Sequence, residues 1–475
     1  MGISKKERKK LYNQVLENVH ITGVAAEGKS LARHNGLVVF VQYGAPGDVV
    51  DVRIKKAERR HVEAEIIHFH EKSKVRNQPF CEHFGICGGC KWQHLEYDEQ
   101  LLHKQKQVTD NLLRIGKVDY SYDLIPIAPC AETRYYRNKL EFTFSNRRWI
   151  TPAELQSGNA INDPEALGFH VPGFFDKVLD IHQCWLQPDP SNAIRLGVKR
   201  FALDNNIPFF DFKENTGLLR NIIIRNNLTG RFMVILVCTS ASEQQRNKVL
   251  DFIRDEFPQV DSLHYMINDK TNSSVSDLEA VLYHGLPYIE EEMEGLKFKI
   301  GPKSFYQTNS KQAYELYKIA RDFANLKGEE LVYDLYTGTG TIAIFVAAKA
   351  AKVVGVEYVE EAVEHARENA SLNGMNNLEF FAGDMAKVLT EEFILHNGEP
   401  DVIITDPPRA GMHPDVTKRI LHSGAQRVVY VSCNPATQAR DIELLSEKYR
   451  VKKVQAVDMF PHTQHVESVV LLEKV

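Results

Sequence analysis

The carboxy-terminal third of the chain, residues 301–475, predicts a doubly wound, Rossmann-like α/β domain, because short apolar strands alternate there with helical stretches. Two further patterns predict separate domains upstream. Short strands broken by turns over residues 1–75 indicate a small antiparallel β-barrel. Strands mixed with helices over residues 76–300 indicate a central α+β domain. A chain of 475 residues is long enough for two or three such cores.

The predicted barrel rests on strands that alternate apolar and polar residues, such as VVDVRI and VEAEIIHF. An alternation with a period of two buries one face of a strand and exposes the other. Turn signals separate these strands at Glu27-Gly28 and at Pro46-Gly47-Asp48. The pattern therefore favours a small all-β domain at the amino-terminal end.

Three thiols lie within ten residues after the barrel, in Cys81-x5-Cys87-Gly-Gly-Cys90. Such clustering is improbable by chance, and the two glycines let the chain wrap an ion, so we predict that the central domain carries a metal or cluster site. Zinc and a [4Fe-4S] cluster both accept four thiolates, and the spacing leaves both open. The candidates for the fourth ligand are Cys130, Cys184 and Cys238.

Basic residues cluster locally although the net charge is −5 and the pI about 6.4. One group lies between Arg134 and Arg148, includes Arg137, and alternates with aromatic residues. Cations bind phosphates and aromatic rings stack on bases, so this group is a candidate surface for single-stranded nucleic acid. A solvated strand face is the alternative that the composition leaves open.

The overall composition narrows the class of protein. A hydrophobic content of 43% and a charged content of 25% are ordinary globular values, which excludes collagen-like, coiled-coil and wholly disordered chains. The basic amino terminus has no apolar stretch behind it, and no window reaches the roughly 18 apolar residues of a spanning helix. Seven cysteines, an odd number, argue against a disulfide framework. We expect a cytoplasmic monomer with no membrane partner.

The first strand of the α/β domain, ELVYDLY, ends in a turn with Gly338 and Gly340, and the helix TIAIFVAAKA follows. Glycines let the backbone approach a ligand, and the amino terminus of a helix offers free N–H groups, so the turn predicts a nucleotide-like ligand. The second strand ends at Glu357, where an acid can accept from both ribose hydroxyls. The turn also satisfies the G-x-G-x-x-A dinucleotide fingerprint, so an NAD-dependent oxidoreductase is an alternative at this point.

The next strands end at Asp384, Asp406 and Cys433, and all of these ends should face one crevice. Cys433 is followed by Asn-Pro, which ends its strand, so a thiolate there is a candidate nucleophile; an inert core cysteine is the alternative. Glu467 precedes the last strand and is a candidate general base if it borders the same crevice, and a surface residue if it does not.

Several motifs, in this order and on these strands, resemble the RNA uracil-5-methyltransferase family. They are Phe305-x-Gln307-x-Asn309, Asp334-Leu-Tyr336-x-Gly-x-Gly, Asp406-Pro-Pro-Arg409-x-Gly411, SCNPAT and HTQHVE. Residues 20–70 resemble the TRAM domain, an OB-like RNA-binding barrel. Residues 81–94 resemble the cysteine motif of the family's ribosomal-RNA branch. Together these motifs cover most of the chain.

The resemblance implies transfer of a methyl group from S-adenosylmethionine to carbon 5 of a uridine in RNA, with Cys433 as nucleophile and Glu467 as base. It implies a [4Fe-4S] cluster held by Cys81, Cys87, Cys90 and Cys184, with zinc as the alternative. It implies cofactor contacts by Gln307, Tyr336, Thr341, Glu357, Asp384 and Asp406. Phe305 and Gln307 are the expected base contacts, and Arg137 is a further expected RNA contact.

The resemblance favours 23S ribosomal RNA as the substrate, and transfer RNA is the alternative. A cytosine-5 RNA methyltransferase also uses a cysteine, but its pattern around the nucleophile does not match. An amino-group methyltransferase also has an acid before Pro-Pro, but usually an aromatic residue after it, where this chain has Arg409. An RNA-binding protein with a decayed catalytic fold is disfavoured by the complete set of cysteine, glutamate and glycine-rich turn.

Overall fold

The computed structural model describes residues 3–119, 121–157 and 163–475. The chain folds as two units. The first comprises Met1–Gln107 and Phe460–His465, and the second comprises Val108–Met459 and Val466–Val475. Among the described helices, none is long and apolar enough to cross a membrane.

The first unit is built around a closed five-stranded barrel with the strand order β1-β2-β3-β5-β4. Its elements are α1 (Lys5–Leu11), β1 (Val15–Val24), β2 (Ser30–His34), β3 (Leu37–Val41), β4 (Val49–Ala57) and β5 (Val62–Glu71). Alternate apolar residues of these strands, Val19, Val39 and Val50 among them, fill its interior. The predicted barrel is therefore confirmed.

One strand pair of the barrel departs from the predicted antiparallel arrangement. β3 and β5 are parallel, whereas the other four neighbouring pairs are antiparallel. The reason is the odd number of strands, because five strands in a closed ring cannot alternate in direction all the way round.

The segment Phe460–His465 is distant in sequence from the rest of the first unit. The carbonyl oxygen of His462 accepts hydrogen bonds from the backbone N–H groups of Lys91 and Trp92, at 2.8 and 3.0 Å. The backbone N–H of His462 donates to Oε1 of Gln100 at 2.8 Å. Gln100 lies on α2 (Tyr97–Arg114). The residues just before Glu467 are therefore held by side chains and backbone groups of the first unit, which the sequence did not predict.

The second unit contains a seven-stranded sheet with the order β13-β12-β11-β10-β7-β8-β9. Its strands are β7 (Lys139–Ser145), β8 (Ala166–His170), β9 (Val178–Asp180), β10 (Leu219–Asn226), β11 (Phe232–Cys238), β12 (Val260–Ile267) and β13 (Val281–Gly285), and the strand before them is β6 (Asp123–Ala128). The helices of this region are α3 (Pro152–Ser157), α4 (Ser191–Asp204) and α5 (Glu243–Glu256). β10 and β11 are buried along their whole length, so they form the centre of the α+β core.

A second sheet of this unit has the order β18-β17-β16-β19-β20-β22-β21-β6. After the hairpin β14 (Ile289–Met293) and β15 (Leu296–Ile300), its strands are β16 (Leu331–Leu335), β17 (Lys352–Glu357), β18 (Leu378–Ala382), β19 (Val402–Thr405), β20 (Arg427–Ser432), β21 (Tyr449–Val457) and β22 (Glu467–Lys474). The helices are α6 (Ser310–Ala324), α7 (Thr341–Ala347), α8 (Glu360–Leu372), α9 (Met385–Val388), α10 (Glu391–Asn397), α11 (Pro414–His422) and α12 (Pro435–Leu445). The predicted doubly wound α/β fold is confirmed.

Strand direction in this second sheet decides where the site lies. β18, β17, β16, β19 and β20 are parallel neighbours, so their carboxyl ends share one edge. β22 is antiparallel to both β20 and β21, which brings its first residue to that same edge. β6, from a segment upstream of the seven-stranded sheet, pairs in parallel with β21 and extends the sheet.

Candidate active site at the carboxyl edge of the second sheet

The turn after β16 leads directly into α7 and depends on Gly340. Its φ is 79°, and a Cβ there would lie 2.9 Å from the Cβ of Ala366 on α8, so any other residue would strain the backbone and clash with the neighbouring helix. Thr341, the first residue of α7, is buried. The chain thus brings backbone N–H groups to the sheet edge through a turn that requires glycine.

Glu357, the last residue of β17, is oriented by this turn. Its Oε2 accepts from the backbone N–H of Gly338 at 3.1 Å, and its Oε1 accepts from that of Val359 at 3.0 Å. Two backbone donors fix the carboxylate in one orientation, and the side chain stays half-buried. Its remaining lone pairs are available to hydroxyl groups of a ligand.

Asp384 lies near this position but not on a strand. β18 ends at Ala382, and Asp384 caps the short helix α9, accepting from the N–H of Ala386 at 3.1 Å. Tyr336, beside the turn, has a phenol whose pKa burial raises to about 12, and the charges of Asp441, Asp384 and Glu357 add to this effect. Tyr336 therefore stays a neutral hydrogen-bonding group between these acids.

Three carboxyl groups lie at this edge of the sheet: Asp334 on β16, Asp406 just after β19, and Glu467 at the start of β22. Burial raises the pKa of Asp334 to about 7, although the hydrogen bond that Oγ1 of Thr337 donates to it, at 2.5 Å, acts to lower this pKa. Burial and the charge of Asp334 raise the pKa of Asp406 as well. Glu467 is 4% exposed, and burial, followed by the charge of Asp406, raises its pKa well above the ordinary value. Such a group of carboxyls is stable only when protons or a cationic ligand neutralise it.

Cys433 and Glu467 lie one residue beyond the last registered pair of the β20–β22 ladder. The last registered pair joins the Cα atoms of Ser432 and Ser468, and Cys433 follows Ser432 while Glu467 precedes Ser468. Opposite residues of an antiparallel pair have Cβ atoms about 4.5–5.5 Å apart. The register therefore brings the predicted nucleophile and the predicted base together.

The Cys433 thiol is half-buried. Burial raises its pKa to about 11, and the charges of Glu467 and Asp406 act in the same direction. Arg409 opposes them, both through its charge and as a hydrogen-bond donor to the thiol. The thiol is therefore protonated at neutral pH in the ligand-free protein.

The segment before α6 carries Phe305 and Gln307 with contrasting exposure. Phe305 is 70% exposed, whereas Gln307 is buried. Oγ1 of Thr339, in the glycine turn, contacts the carbonyl oxygen of Phe305 at 3.5 Å. This segment, residues 301–309, is called the Phe305 loop below, and it borders the same edge of the sheet.

The predicted nucleic-acid group is only partly available to phosphates. Arg147 pairs with Asp211 and Arg148 pairs with Glu154, at 3.0 and 2.7 Å, which offsets two of its charges. Arg137 is half-buried, and its backbone N–H donates to the carbonyl oxygen of Leu186 at 2.7 Å. Arg137 directly precedes Asn138, whose side chain contacts the Phe305 loop.

The predicted metal ligands lie in both units. Cys81, Cys87 and Cys90 are half-buried in the first unit, between β5 and α2. In the second unit Cys184 is half-buried, with its backbone N–H and carbonyl bonded to the side chain of Asn192. Cys238 is fully buried in β11, in contrast to these four half-buried thiols.

Comparison with known proteins identifies the family. The tRNA (Uracil-5-)-methyltransferase family profile matches residues 287–475, and the TRAM domain profile matches residues 12–67. A protein of Bacteroides thetaiotaomicron described as an uncharacterized RNA methyltransferase is 56% identical over 453 residues, 95% of this chain and 100% of its own length. A Porphyromonas gingivalis protein of the same description is 53% identical over 461 residues, 96% of this chain and 99% of its own length.

The chain belongs to the RNA uracil-5-methyltransferase family. The crystal structure of Pyrococcus abyssi tRNA (uracil-54, C5)-methyltransferase in complex with S-adenosyl-L-homocysteine matches 96% of this chain and 100% of its own, with a TM-score of 0.73 and 28% identity. The methyl donor of the family is S-adenosylmethionine, and the NAD-dependent alternative is wrong. The buried carboxyls beside Cys433 fit this donor, because its sulfonium is a cation.

Sequence reasoning assigned no role to two residues of this family site. Asp334 is the single acid of the apolar strand β16, and it was interpreted only as part of the motif that continues into the glycine turn. Arg409 stands in the Pro-Pro motif, but only the structure shows that its guanidinium acts on the thiol of Cys433. One sequence signal could have indicated both residues, because charged residues at the strand ends of an α/β sheet gather in one crevice.

Proposed function

We propose that this methyltransferase acts on carbon 5 of a uridine in 23S ribosomal RNA, with Cys433 as covalent nucleophile and Glu467 as general base. The observation that carries the proposal is that these two residues directly adjoin the last registered pair of the β20–β22 ladder. Nucleophile and base must reach adjacent carbons of one pyrimidine ring, so they have to lie close together.

Carbon 5 of uracil is a weak nucleophile, and addition to the ring activates it. The Cys433 sulfur forms a bond to carbon 6, and the electron pair of the 5,6 double bond moves into an enolate whose carbon 5 becomes nucleophilic. S-adenosylmethionine supplies the methyl group that carbon 5 takes. Glu467 then removes the proton from carbon 5, the double bond re-forms, and the thiolate leaves carbon 6.

Arg409 supports the first step. A thiol whose pKa burial raises to about 11 needs help to ionise, and the guanidinium of Arg409 is the group that lowers its pKa. Loss of the negative charges on Glu467 and Asp406, or their neutralisation by a cation in the crevice, would favour the thiolate further. Cys433 is therefore activated by its surroundings when substrates are bound.

The proposed cofactor contacts follow the sheet edge. Glu357 binds the ribose hydroxyls, in keeping with the two backbone bonds that orient its carboxylate. Asp384 and Tyr336 lie towards the adenine end, and the effect of the Asp384 charge on the pKa of Tyr336 supports this grouping. Gln307, Thr341 and Asp406 complete the contacts.

The proposed base contacts belong to the Phe305 loop. A stacked or paired uracil cannot be attacked at carbon 6 from one face and methylated at carbon 5, so the target nucleotide must be flipped out. The exposed ring of Phe305 offers a stacking surface, and Gln307 offers hydrogen bonds to the base edge. Arg137, which is distant from this loop in sequence but directly precedes Asn138, contacts the RNA backbone.

We further propose a [4Fe-4S] cluster held by Cys81, Cys87, Cys90 and Cys184. Four half-buried thiols are a suitable donor set, and the full burial of Cys238 argues against it as a ligand. No step of methyl transfer needs an electron, so the cluster would serve structure or RNA docking. Iron and sulfide analysis of anaerobically purified protein tests this: about four irons per chain are expected, and zinc in their place would contradict the proposal.

Trapping with 5-fluorouridine RNA tests the proposed reaction and its substrate together. Fluorine at carbon 5 cannot be removed as a proton, so the covalent complex should accumulate, and sequencing its RNA identifies the target. A fragment of 23S ribosomal RNA is expected. The solved Pyrococcus abyssi relative is named as a tRNA enzyme, so a transfer-RNA fragment is the outcome that would replace the substrate but keep the chemistry. The cytoplasmic, monomeric state stays a prediction.

A further inference from the structure

Four carbonyl oxygens of the Phe305 loop accept hydrogen bonds from residues of the seven-stranded sheet and the residue that precedes β7. Nη1 of Arg225 donates to the carbonyls of Gly301 and Ser304, each at 2.9 Å. Nδ2 of Asn138 donates to the carbonyl of Gln307 at 2.8 Å, and the backbone N–H of Asn138 donates to that of Thr308, also at 2.8 Å. The bonds flank Phe305 and Tyr306 on both sides.

The two donors belong to neighbouring strands in fixed register. Arg225 lies on β10 opposite Lys139 of β7, and Asn138 directly precedes Lys139. The backbone N–H of Asn226 donates to the carbonyl of Asn138 at 2.9 Å, which locks the two strands at this point. The pairing of β7 with β10 therefore fixes the positions of both donors.

Burial of the Arg225 guanidinium is energetically unfavourable, and these hydrogen bonds offset that cost. It is 2% exposed, and among the residues that the structure describes it has no carboxylate partner. Burial alone lowers the pKa of its guanidinium to about 10. Burying an unpaired cation is unfavourable unless its hydrogen-bond donors are well used, and both of its contacts here go to the Phe305 loop.

Asn138 is tied into a buried chain of polar groups. Its Nδ2 also donates to Oγ of Ser310, and that hydroxyl donates to Oε2 of Glu291, at 2.8 and 2.7 Å. Oε1 of Glu291 accepts from the backbone N–H of Leu228, just after β10, at 3.2 Å. This series of hydrogen bonds connects the β14 hairpin, α6 and β7, so the Asn138 side chain has one orientation.

We propose that Arg225 and Asn138 are positioning residues that hold the Phe305 loop in the conformation that receives the flipped uridine. The inference rests on the proposed function of Phe305 and Gln307. Neither positioning residue touches the RNA. Their loss should therefore slow the chemistry while leaving RNA affinity nearly unchanged, because the loop becomes free to misplace the base.

The test uses Arg225→Lys in the full-length protein. Lysine keeps the charge, but its side chain is one bond shorter, so its nitrogen does not reach the position from which Nη1 of Arg225 contacts both carbonyls. Asn138→Ala is the second variant. Arg220→Lys is the matched control, because Arg220 is on the same strand, is 1% exposed, and donates to the carbonyls of Asn268, Lys270 and Asn272 in a different loop.

Two readouts separate the inference from the proposed function. Hydrogen–deuterium exchange should accelerate over residues 301–309 in the Arg225 variant and over residues 268–274 in the Arg220 variant. The rate of covalent complex formation with saturating 5-fluorouridine ribosomal RNA should fall on the order of 10- to 100-fold with Arg225→Lys or Asn138→Ala. Filter binding of the same RNA should change by about twofold or less, and Arg220→Lys should match the wild type in rate.

Unchanged exchange over residues 301–309 in both test variants would overturn the inference. So would faster exchange with a wild-type rate of complex formation, or an equal loss of rate in the Arg220 variant. A wild-type protein that forms no covalent complex would instead overturn the proposed function, and the exchange data would still decide whether Arg225 holds the loop.

Discussion

The carbonyl oxygen of Arg409 accepts a hydrogen bond from Nδ2 of Asn434, the residue after Cys433, at 2.9 Å. Oγ1 of Thr437 donates to the same carbonyl at 3.3 Å. Asn434 also caps α12, so the start of this helix fixes both the loop that carries Arg409 and the end of the strand that carries the thiol. The Cys433 thiol and the Arg409 guanidinium therefore both extend from backbone segments that the start of α12 holds in place.

Arg409→Gln should slow the alkylation of Cys433 in the ligand-free protein. Since burial raises the pKa of this thiol to about 11 and Arg409 lowers it, removing the guanidinium leaves less thiolate. In the wild type, the rate of iodoacetamide labelling should rise about tenfold per pH unit between pH 7 and 10. Mass spectrometry of the Cys433 peptide measures it. A rate that is flat over this range, or unaffected by the substitution, would contradict the assignment.

Glu467→Gln should arrest the reaction after methyl transfer. Glutamine has nearly the same shape but cannot take the proton from carbon 5, so the methylated RNA should stay bound to the protein. We expect turnover to fall at least about 100-fold, within the usual size of a lost general base. A denaturing gel with ordinary, unfluorinated RNA should then show a covalent complex. Release of free methylated RNA at the wild-type rate would show that another group is the base.

The ligand-free protein should lose stability as the pH rises from about 4 to about 7. The folded-state pKa of Asp334 is raised to about 7, above an unfolded value near 3.9, so between these values the folded state binds a proton that the unfolded state has released. Each such proton lowers stability by about 1.4 kcal/mol per pH unit. Asp334→Asn should make this decline shallower without abolishing it, because burial also raises the pKa values of Asp406 and Glu467, as thermal melts between pH 5 and 8 would reveal. An equally steep decline in the variant would contradict the prediction.

Gly340→Ala should cost more stability than Gly374→Ala. Both glycines have positive φ, 79° and 65°, and each substitution carries about 1 kcal/mol of backbone strain. Only at Gly340 does the new Cβ meet other atoms, since it would lie 2.9 Å from Cβ of Ala366, whereas nothing lies within 4 Å at Gly374. Overpacking should add about 1–3 kcal/mol. Denaturant melts compare the two, and calorimetry should show weaker S-adenosylhomocysteine binding for Gly340→Ala alone. Equal losses would contradict this account of the turn.

Much of the fold follows from local patterns. The period of two residues predicted the barrel strands, and the buried strands ending in glycine or acidic residues predicted the α/β sheet with Glu357, Asp406 and Cys433 at one edge. Asp384 was expected at a strand end, but the strand stops two residues earlier because Gly383 leads into the α9 cap. End positions depend on caps, which period alone does not locate.

The remaining features depend on contacts between distant segments. Three such features join residues that are far apart in sequence. Phe460–His465 belongs to the first unit, β6 pairs with β21, and Arg225 donates hydrogen bonds to the Phe305 loop. No local period encodes such pairings. The raised pKa of Cys433 is of the same kind, because it arises from burial and from carboxyls at the ends of two other strands.

Mass spectrometry of the covalent complex with 5-fluorouridine RNA tests the central claim most directly. After nuclease and protease digestion, we expect a fluorinated, methylated nucleotide on the peptide that contains Cys433, no complex with Cys433→Ala, and a normal yield with Cys238→Ala as the matched cysteine control. A nucleotide attached to any other residue, or an undiminished yield of complex from Cys433→Ala, would contradict it.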